Sequence, residues 1–500
     1  MSKTRSLKLN AFFSIFNKIA VMLSGIILPR LILQFYGSEI NGLVASITQF
    51  LSVITFLDLG VGAVVQTALY RPLAQKDNLK ISKVLTAAKT YFRRIAYILL
   101  VYILFLMIYF PRILTNNNLN TFSTVILIIS ISIGTFAQYY FGIINEILLN
   151  ADQKAYIQLI LEIVVIVLNL LVSIILIYLN FPIYIVKLAS SAVFLIRVVY
   201  LNYYVEKNYN LSKEVELLED PLPQKWNGVA QHIAYSVQNS TDIIVLTTMS
   251  TLENVSVYSV YNMIASAIQL LLQSLTTGLQ SFFGSFIARE EYEELKNYFK
   301  KIEWMIHTGA VFLFGVSSVL ISPFVMLYTG GVTDVNYYVP IFSSLLLVSR
   351  AIYSIRTPYQ SLVFAAGHYK QTQFGSVVEA IINVILSFIL VYRLGLVGVA
   401  IGSLIAIIFR TLYLVYYLSN NIILRAPLIF VKLVLTDSIQ FILIWGIGNQ
   451  LITHFQIQTF TVWIGFAIVL SLVSLIIIIV TNLIFYKTMM CSLFIKIKSK

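Results

Sequence analysis

Cys491 is the lone cysteine in 500 residues, so no intramolecular disulfide can brace the chain. Charge is scarce too. Asp, Glu, Lys and Arg make up 11% of the sequence, against about 25% in an ordinary soluble domain. So few charges cannot cover a globule in water, and with 59% of residues hydrophobic the solvent has to be lipid. A GxxxxGK[ST] loop is missing, which argues against direct use of ATP. No metal-ligand cluster, cofactor motif or paired acidic motif stands out, so the chain does not read as an enzyme. The first apolar segment continues through Pro29 and Arg30 without a small-residue cleavage site, and reads as a permanent helix rather than a signal peptide.

What the chain has in abundance is long apolar runs. A membrane helix needs about 20 predominantly apolar residues. That length predicts fourteen spans, near 9–33, 40–69, 84–110, 121–145, 153–179, 181–204, 228–250, 254–287, 302–328, 336–362, 370–393, 395–418, 427–450 and 458–486. The runs are too long and too uniformly apolar for strands of a membrane barrel. The net charge of +13 does not point to nucleic acid, because the basic residues sit in short clusters between the spans. With the N-terminus in the cytoplasm, the inward segments hold 21 lysines and arginines, from Lys3, Arg5 and Lys8 to Lys496, Lys498 and Lys500. The outward loops hold only Arg112 and Arg393. One miscounted helix would invert this asymmetry downstream, so both termini are expected inside.

The chain also resembles itself. LIRVVYLNYYV from Leu195 pairs with IFRTLYLVYYL from Ile408, matching Arg197 with Arg410 and Tyr204 with Tyr417. Asn169 matches Asn383 at nearly the same offset of about six helices. An even number of spans preserves orientation, so the repeat is parallel. The expected fold class is an all-α polytopic membrane protein with two parallel six-helix bundles and an added C-terminal helix pair. Its parts are residues 1–205 (first bundle), 206–227 (cytoplasmic linker), 228–420 (second bundle) and 421–500 (helices 13 and 14 with a basic tail).

The stretches PRLILQFYGSEINGLVASITQFLSVITFLDLGVGAVVQTALYRPLAQKD, from Pro29, and TPYQSLVFAAGHYKQTQFGSVVEAIINVILSF, from Thr357, resemble the Wzx-type polysaccharide flippases. These are lipid-linked oligosaccharide transporters of the multidrug/oligosaccharidyl-lipid/polysaccharide export superfamily. The resemblance covers the whole chain but rests on architecture, since these proteins share no short catalytic signature. It implies a bacterial cytoplasmic-membrane protein that moves undecaprenyl-pyrophosphate-linked glycan units outward for a capsule or exopolysaccharide. It also implies membrane lipids and polysaccharide-assembly proteins, such as a polymerase, as partners.

Ionisable groups at membrane depth are costly unless they face protein or water. Lys18, Asp58, Asp242 and Arg350 lie too deep to reach the headgroups. Cations suit a lipid pyrophosphate, which makes Lys18, Arg30, Arg350 and Arg356 candidate substrate contacts. Asp58, Asp242, Glu162 and Glu379 are candidate counter-ions or proton-coupling groups, with static pairing between helices as the competing role. Gly60 and Gly62, beside Asp58, would let another helix approach closely or let this one bend. Asn262, Gln269, Gln273 and Gln280 recur on one helical stripe, and Gln269 and Gln273 are candidate sugar contacts. Arg30, Lys187, Arg197 and Arg410 lie near helix ends, where long side chains are expected to snorkel to the headgroups or to serve the structure. Lys89, Arg93 and Arg94 read as a turn that meets anionic lipid. Two other readings compete. A cation-coupled multidrug exporter of the same superfamily would favour an acidic cavity over deep Lys and Arg. A membrane polymerase or glycosyltransferase would need a sizeable outer loop.

Overall fold

The computed structural model describes residues 3–58, 60–113, 120–212 and 229–490. The linker expected at 206–227 and the basic tail after Met490 lie largely outside these residues, as do the side chains of Lys3, Arg5, Gln231, His232 and Asn239. Every regular element among the described residues is helical, as a chain must be when lipid offers its backbone no hydrogen-bond partners. Eleven of these stretches are long and apolar enough to cross a membrane on their own, and the chain is a multi-pass membrane protein. The fourteen expected spans fall on helices throughout, and the difference has three sources. Two expected spans lie end to end in the first helix on either side of the non-helical Gly37, the described side chains of Val229–Met249 give only the shorter apolar stretch Ser240–Met249, and Pro340–Ala365 is more polar.

The chain divides into two compact units, Met1–Thr248 and Met249–Lys500. In the first, α1 (Lys3–Ser52) stays helical through Pro29 and breaks at Gly37, where φ is +82°. A 3₁₀ turn, Val53–Asp58, follows. Gly60, at φ +74°, then starts α2 (Val61–Gln75). The single helix expected over 40–69 is therefore broken directly after Asp58, at a residue whose backbone only glycine adopts without strain. The unit continues with α3 (Asn78–Ile113), α4 (Thr121–Ala137) and a π turn at Gln138–Gly142. Then come α5 (Ile143–Ala151), α6 (Ala155–Tyr178), α7 (Ile183–Asn208) and α8 (Val229–Met249). Helix α8 is pinned to α1 by polar contacts, Ser46 to Thr247 at 2.7 Å and Gln49 to Ser240 at 3.0 Å.

The second unit contains α9 (Leu252–Thr276), α10 (Leu279–Ala288), α11 (Tyr292–Tyr328) and α12 (Pro340–Ala365). It ends with α13 (Tyr369–Leu394), α14 (Leu396–Asn421), α15 (Leu428–Ile452) and α16 (Phe460–Phe485). Helices α15 and α16 pack on α11, with Val319 and Leu320 against Phe466 and Leu470. Trp304 Nε1 donates to Asn482 at 2.7 Å, and His307 Nδ1 lies 2.5 Å from Asp437. The opposite face of α16 exposes Ile464, Ile468, Leu472, Ile476, Val480 and Ile484 at four-residue spacing, an apolar stripe meant for acyl chains.

Helices α13 and α14 approach most closely at Gly398 and Gly402, a small-residue seam of the kind that membrane helices pack through. A Cβ on Gly402 would lie 2.5 Å from Ser387 Oγ and 2.7 Å from Ser387 N. Gly402→Ala is therefore expected to cost about 1–3 kcal/mol by overpacking. A fall in the thermal midpoint of the detergent-solubilised protein would show this.

The internal repeat reappears in the contacts of each unit. Ser173 donates to Asn169 at 3.3 Å on α6, and Ser387 donates to Asn383 at 3.3 Å on α13. Ser190 of α7 and Ser403 of α14 complete the two clusters at 3.3 and 3.2 Å.

Candidate functional site

In the second unit, Arg350 on α12 turns toward α9. Its Nη2 donates to Asn262 Oδ1 at 2.6 Å and its Nη1 to Gln269 Oε1 at 3.2 Å. Gln269 is buried, whereas Arg350 stays half-exposed. Both of Arg350's partners are neutral amides, so its charge is oriented without being cancelled. Tyr353, Thr357 and Gln360 follow Arg350 at intervals of three, four and three residues, which keeps them on one face of α12. With Gln273 they line a cleft of about 290 Å³ that no carboxylate enters. Gln280 also lines it, but from α10. Gly278, at φ +87°, breaks the single helix expected over 254–287.

Arg356 points elsewhere. Six residues beyond Arg350 it is turned roughly 120° around the helix, and it is buried. Its Nη1 donates to Glu379 Oε1 at 2.5 Å, and its guanidinium lies 4.5 Å from the centre of the Tyr353 ring. The other oxygen of Glu379 lies 3.9 Å from Arg410 Nε. Glu379 thus sits between two arginines.

The first unit carries the mirror-image arrangement, one arginine between two carboxylates. Arg197 pairs with Glu146 of α5 and lies 3.9 Å from Glu162 of α6. Glu162 and Glu379 do not share the repeat offset, yet each reaches the repeat-related arginine, because a displacement of about one turn keeps a side chain on the same face. Glu146 escaped the sequence reading. The π turn before it realigns the helix, and Gln138 on that turn donates to Glu146 at 2.9 Å. The buried Glu303, paired with Arg425 and accepting from Tyr359, was also missed, as was the His307–Asp437 contact. Their signal is the spacing of Glu303 and His307, one turn apart at the start of an apolar helix.

The remaining candidates are spread over the first unit. Asp58 ends the 3₁₀ turn and lies near Tyr91 and Tyr139. Asp242 is buried on α8, between the two contacts with α1. Lys18 is exposed on α1, and Arg30 is half-exposed one residue after Pro29. Among the described residues no group of three or more His, Cys, Asp or Glu side chains could hold a metal. At the end of α7, burial and the neighbouring Asp152 push the Tyr209 phenol well above its usual range, and its hydroxyl donates to Asp152 at 2.5 Å.

The sequence matches no family model and no curated protein. The fold, however, has solved counterparts. A lipid II flippase, MurJ, in an inward closed conformation, superposes with a TM-score of 0.68 at 16% identity, over 96% of this chain and 99% of that one. An inward-facing MATE-family multidrug resistance transporter of the MOP superfamily gives 0.62 at 15% identity, over 80% of this chain and 95% of that one. The Vibrio cholerae MATE transporter VcmN gives 0.56 at 13% identity, over 84% and 98%. The chain therefore has the fold of the MOP-superfamily transporters.

Proposed function

We propose that this protein moves undecaprenyl-pyrophosphate-linked oligosaccharide units from the inner to the outer leaflet of the cytoplasmic membrane by alternating access. The units would then pass to a polymerase for capsule or exopolysaccharide assembly. The observation that carries this reading is Arg350, a half-exposed guanidinium on α12 held by two amides, about one turn from an uncharged polar cleft lined by Tyr353, Thr357 and Gln360. Such a fork offers paired N–H donors to phosphate oxygens. Gln273, Thr357 and Gln360 offer donors and acceptors that match sugar hydroxyls. Lys18 and Arg30 add cations on α1. Asp58, beside a helix break, and Asp242 are the proposed coupling groups. A membrane potential supplies about 2.3 kcal/mol per charge per 100 mV, enough to bias such a cycle. The fold is common to a lipid II flippase and to multidrug transporters. A cleft without a carboxylate favours an anionic lipid over a cationic drug.

The test is reconstitution of the full chain in liposomes that carry fluorescent undecaprenyl-pyrophosphate oligosaccharide in the inner leaflet. An impermeant quencher is expected to reach the label faster than in protein-free vesicles. Ethidium transport without any lipid movement would overturn the reading in favour of a drug exporter.

A further inference from the structure

The first unit contains a cavity of about 560 Å³ that plays no part in the reading above. Its volume falls in the range of about 300–1,000 Å³ typical of small-molecule sites. Lys187, Ser190, Ser191, Phe194 and Arg197 of α7 line it from one helical face, at intervals of three, one, three and three residues. Lys187 and Arg197 therefore do not both reach for headgroups, as their positions near helix ends suggest. Thr48 of α1, Gln138 of the π turn and Asn169 of α6 add polar groups, and no carboxylate is among the lining residues.

Two of the donors are unfilled. Lys187 has neither a hydrogen bond nor an ion pair among the described residues. Arg197 Nε is buried without a hydrogen-bond partner, although the rest of its guanidinium is held by Glu146 and Glu162. The carboxylates balance Arg197 from outside the cavity, so the positive charge left on its wall is that of Lys187. An ammonium and an N–H donor without acceptors, flanked by hydroxyls and amides, complement an anion rich in acceptor oxygens.

We propose that this cavity is a second anion-binding site and takes a phosphate group, with Lys187 as its principal contact. The phosphate is either the diester of an anionic phospholipid or free inorganic phosphate. The site is independent of Arg350, which belongs to the other unit.

The purified full chain in neutral detergent would be melted against inorganic phosphate and, separately, against short-chain phosphatidylglycerol, with phosphatidylcholine as the uncharged-headgroup control. A ligand that binds only the folded state raises the midpoint as its concentration passes the dissociation constant. The wild type is expected to respond to phosphatidylglycerol, to phosphate or to both, and not to phosphatidylcholine. A response to the lipid alone identifies a headgroup site, and a response to phosphate alone a free-anion site. Lys187→Met and Lys187→Gln should each weaken the effective ligand at least tenfold, Lys187→Arg should restore it, and Arg289→Ala, which removes an exposed cation of the other unit, should leave it unchanged. No response in the wild type, or an equal response in the wild type and both neutral variants, would overturn the proposal. The melt reads phosphate binding and the liposome assay reads lipid transfer, so a failure here is separable from a failure of the transport reading.

Discussion

Arg350→Ala is expected to slow transfer of fluorescent undecaprenyl-pyrophosphate oligosaccharide by about 10- to 100-fold, as the loss of one charge-assisted hydrogen bond of roughly 1.5–3 kcal/mol would require. The thermal midpoint should move little. The arginine's own contacts are two hydrogen bonds to neutral amides, and the residue is not fully buried. Arg350→Lys keeps the charge but loses the fork, and should fall between the wild type and alanine. Gln269→Leu removes one of the two amides that orient the guanidinium. It should lower transfer less than Arg350→Ala and should leave the preference for pyrophosphate over a neutral lipid intact. If Arg350→Ala transfers the labelled lipid at the wild-type rate in chains that melt normally, this side chain has no place in substrate binding.

The places of the helices along the chain were legible in the sequence, and direction around each helix was legible only in part. Twenty-residue apolar runs locate the helices because hydrocarbon thickness is a one-dimensional constraint. The same reading made Arg350 and Arg356 candidate contacts for one substrate, yet they face different neighbours. Lys187 and Arg197 were close enough to helix ends to reach water, but the cavity they line is inside their unit. Spacing along α7 could have shown their common face. What it could not show is that α1, α4 and α6 leave a space opposite that face. The break at Gly37 falls between two expected spans and the one at Gly60 where a bend was expected, but the one at Gly278 was harder still. Its helix continues an apolar run on both sides, and only the backbone angles mark the turn. The repeat fared better: the Asn169–Ser173 and Asn383–Ser387 contacts follow from a match that sequence comparison had found.

Glu379→Ala is expected to be among the most destabilising single changes in the second unit, at about 3–5 kcal/mol. Glu379, Arg356 and Arg410 are buried together. The carboxylate accepts from Arg356 and lies 3.9 Å from Arg410, and loses nothing to solvent screening there. Without it, two guanidiniums face each other in a medium that cannot hydrate them. Arg410 keeps a hydrogen bond to the Thr372 carbonyl at 2.8 Å, and Arg356 keeps the Tyr353 ring. Neither contact supplies negative charge. Adding Arg356→Met to Glu379→Ala removes one of the stranded cations and should recover part of the loss, with a coupling of about 0.5–3 kcal/mol in the double-mutant cycle. The first unit provides the inverted control. Arg197→Met leaves Glu146 and Glu162 without their shared cation, and either carboxylate can take up a proton where the arginines cannot release one, so its cost should be smaller. Inactivation half-lives at a fixed temperature, measured in detergent for the wild type, Glu379→Ala, Arg356→Met, their double variant and Arg197→Met, test the ordering. If Glu379→Ala outlasts Arg197→Met, or if adding Arg356→Met worsens it, these buried charges are not the clamp that their geometry describes.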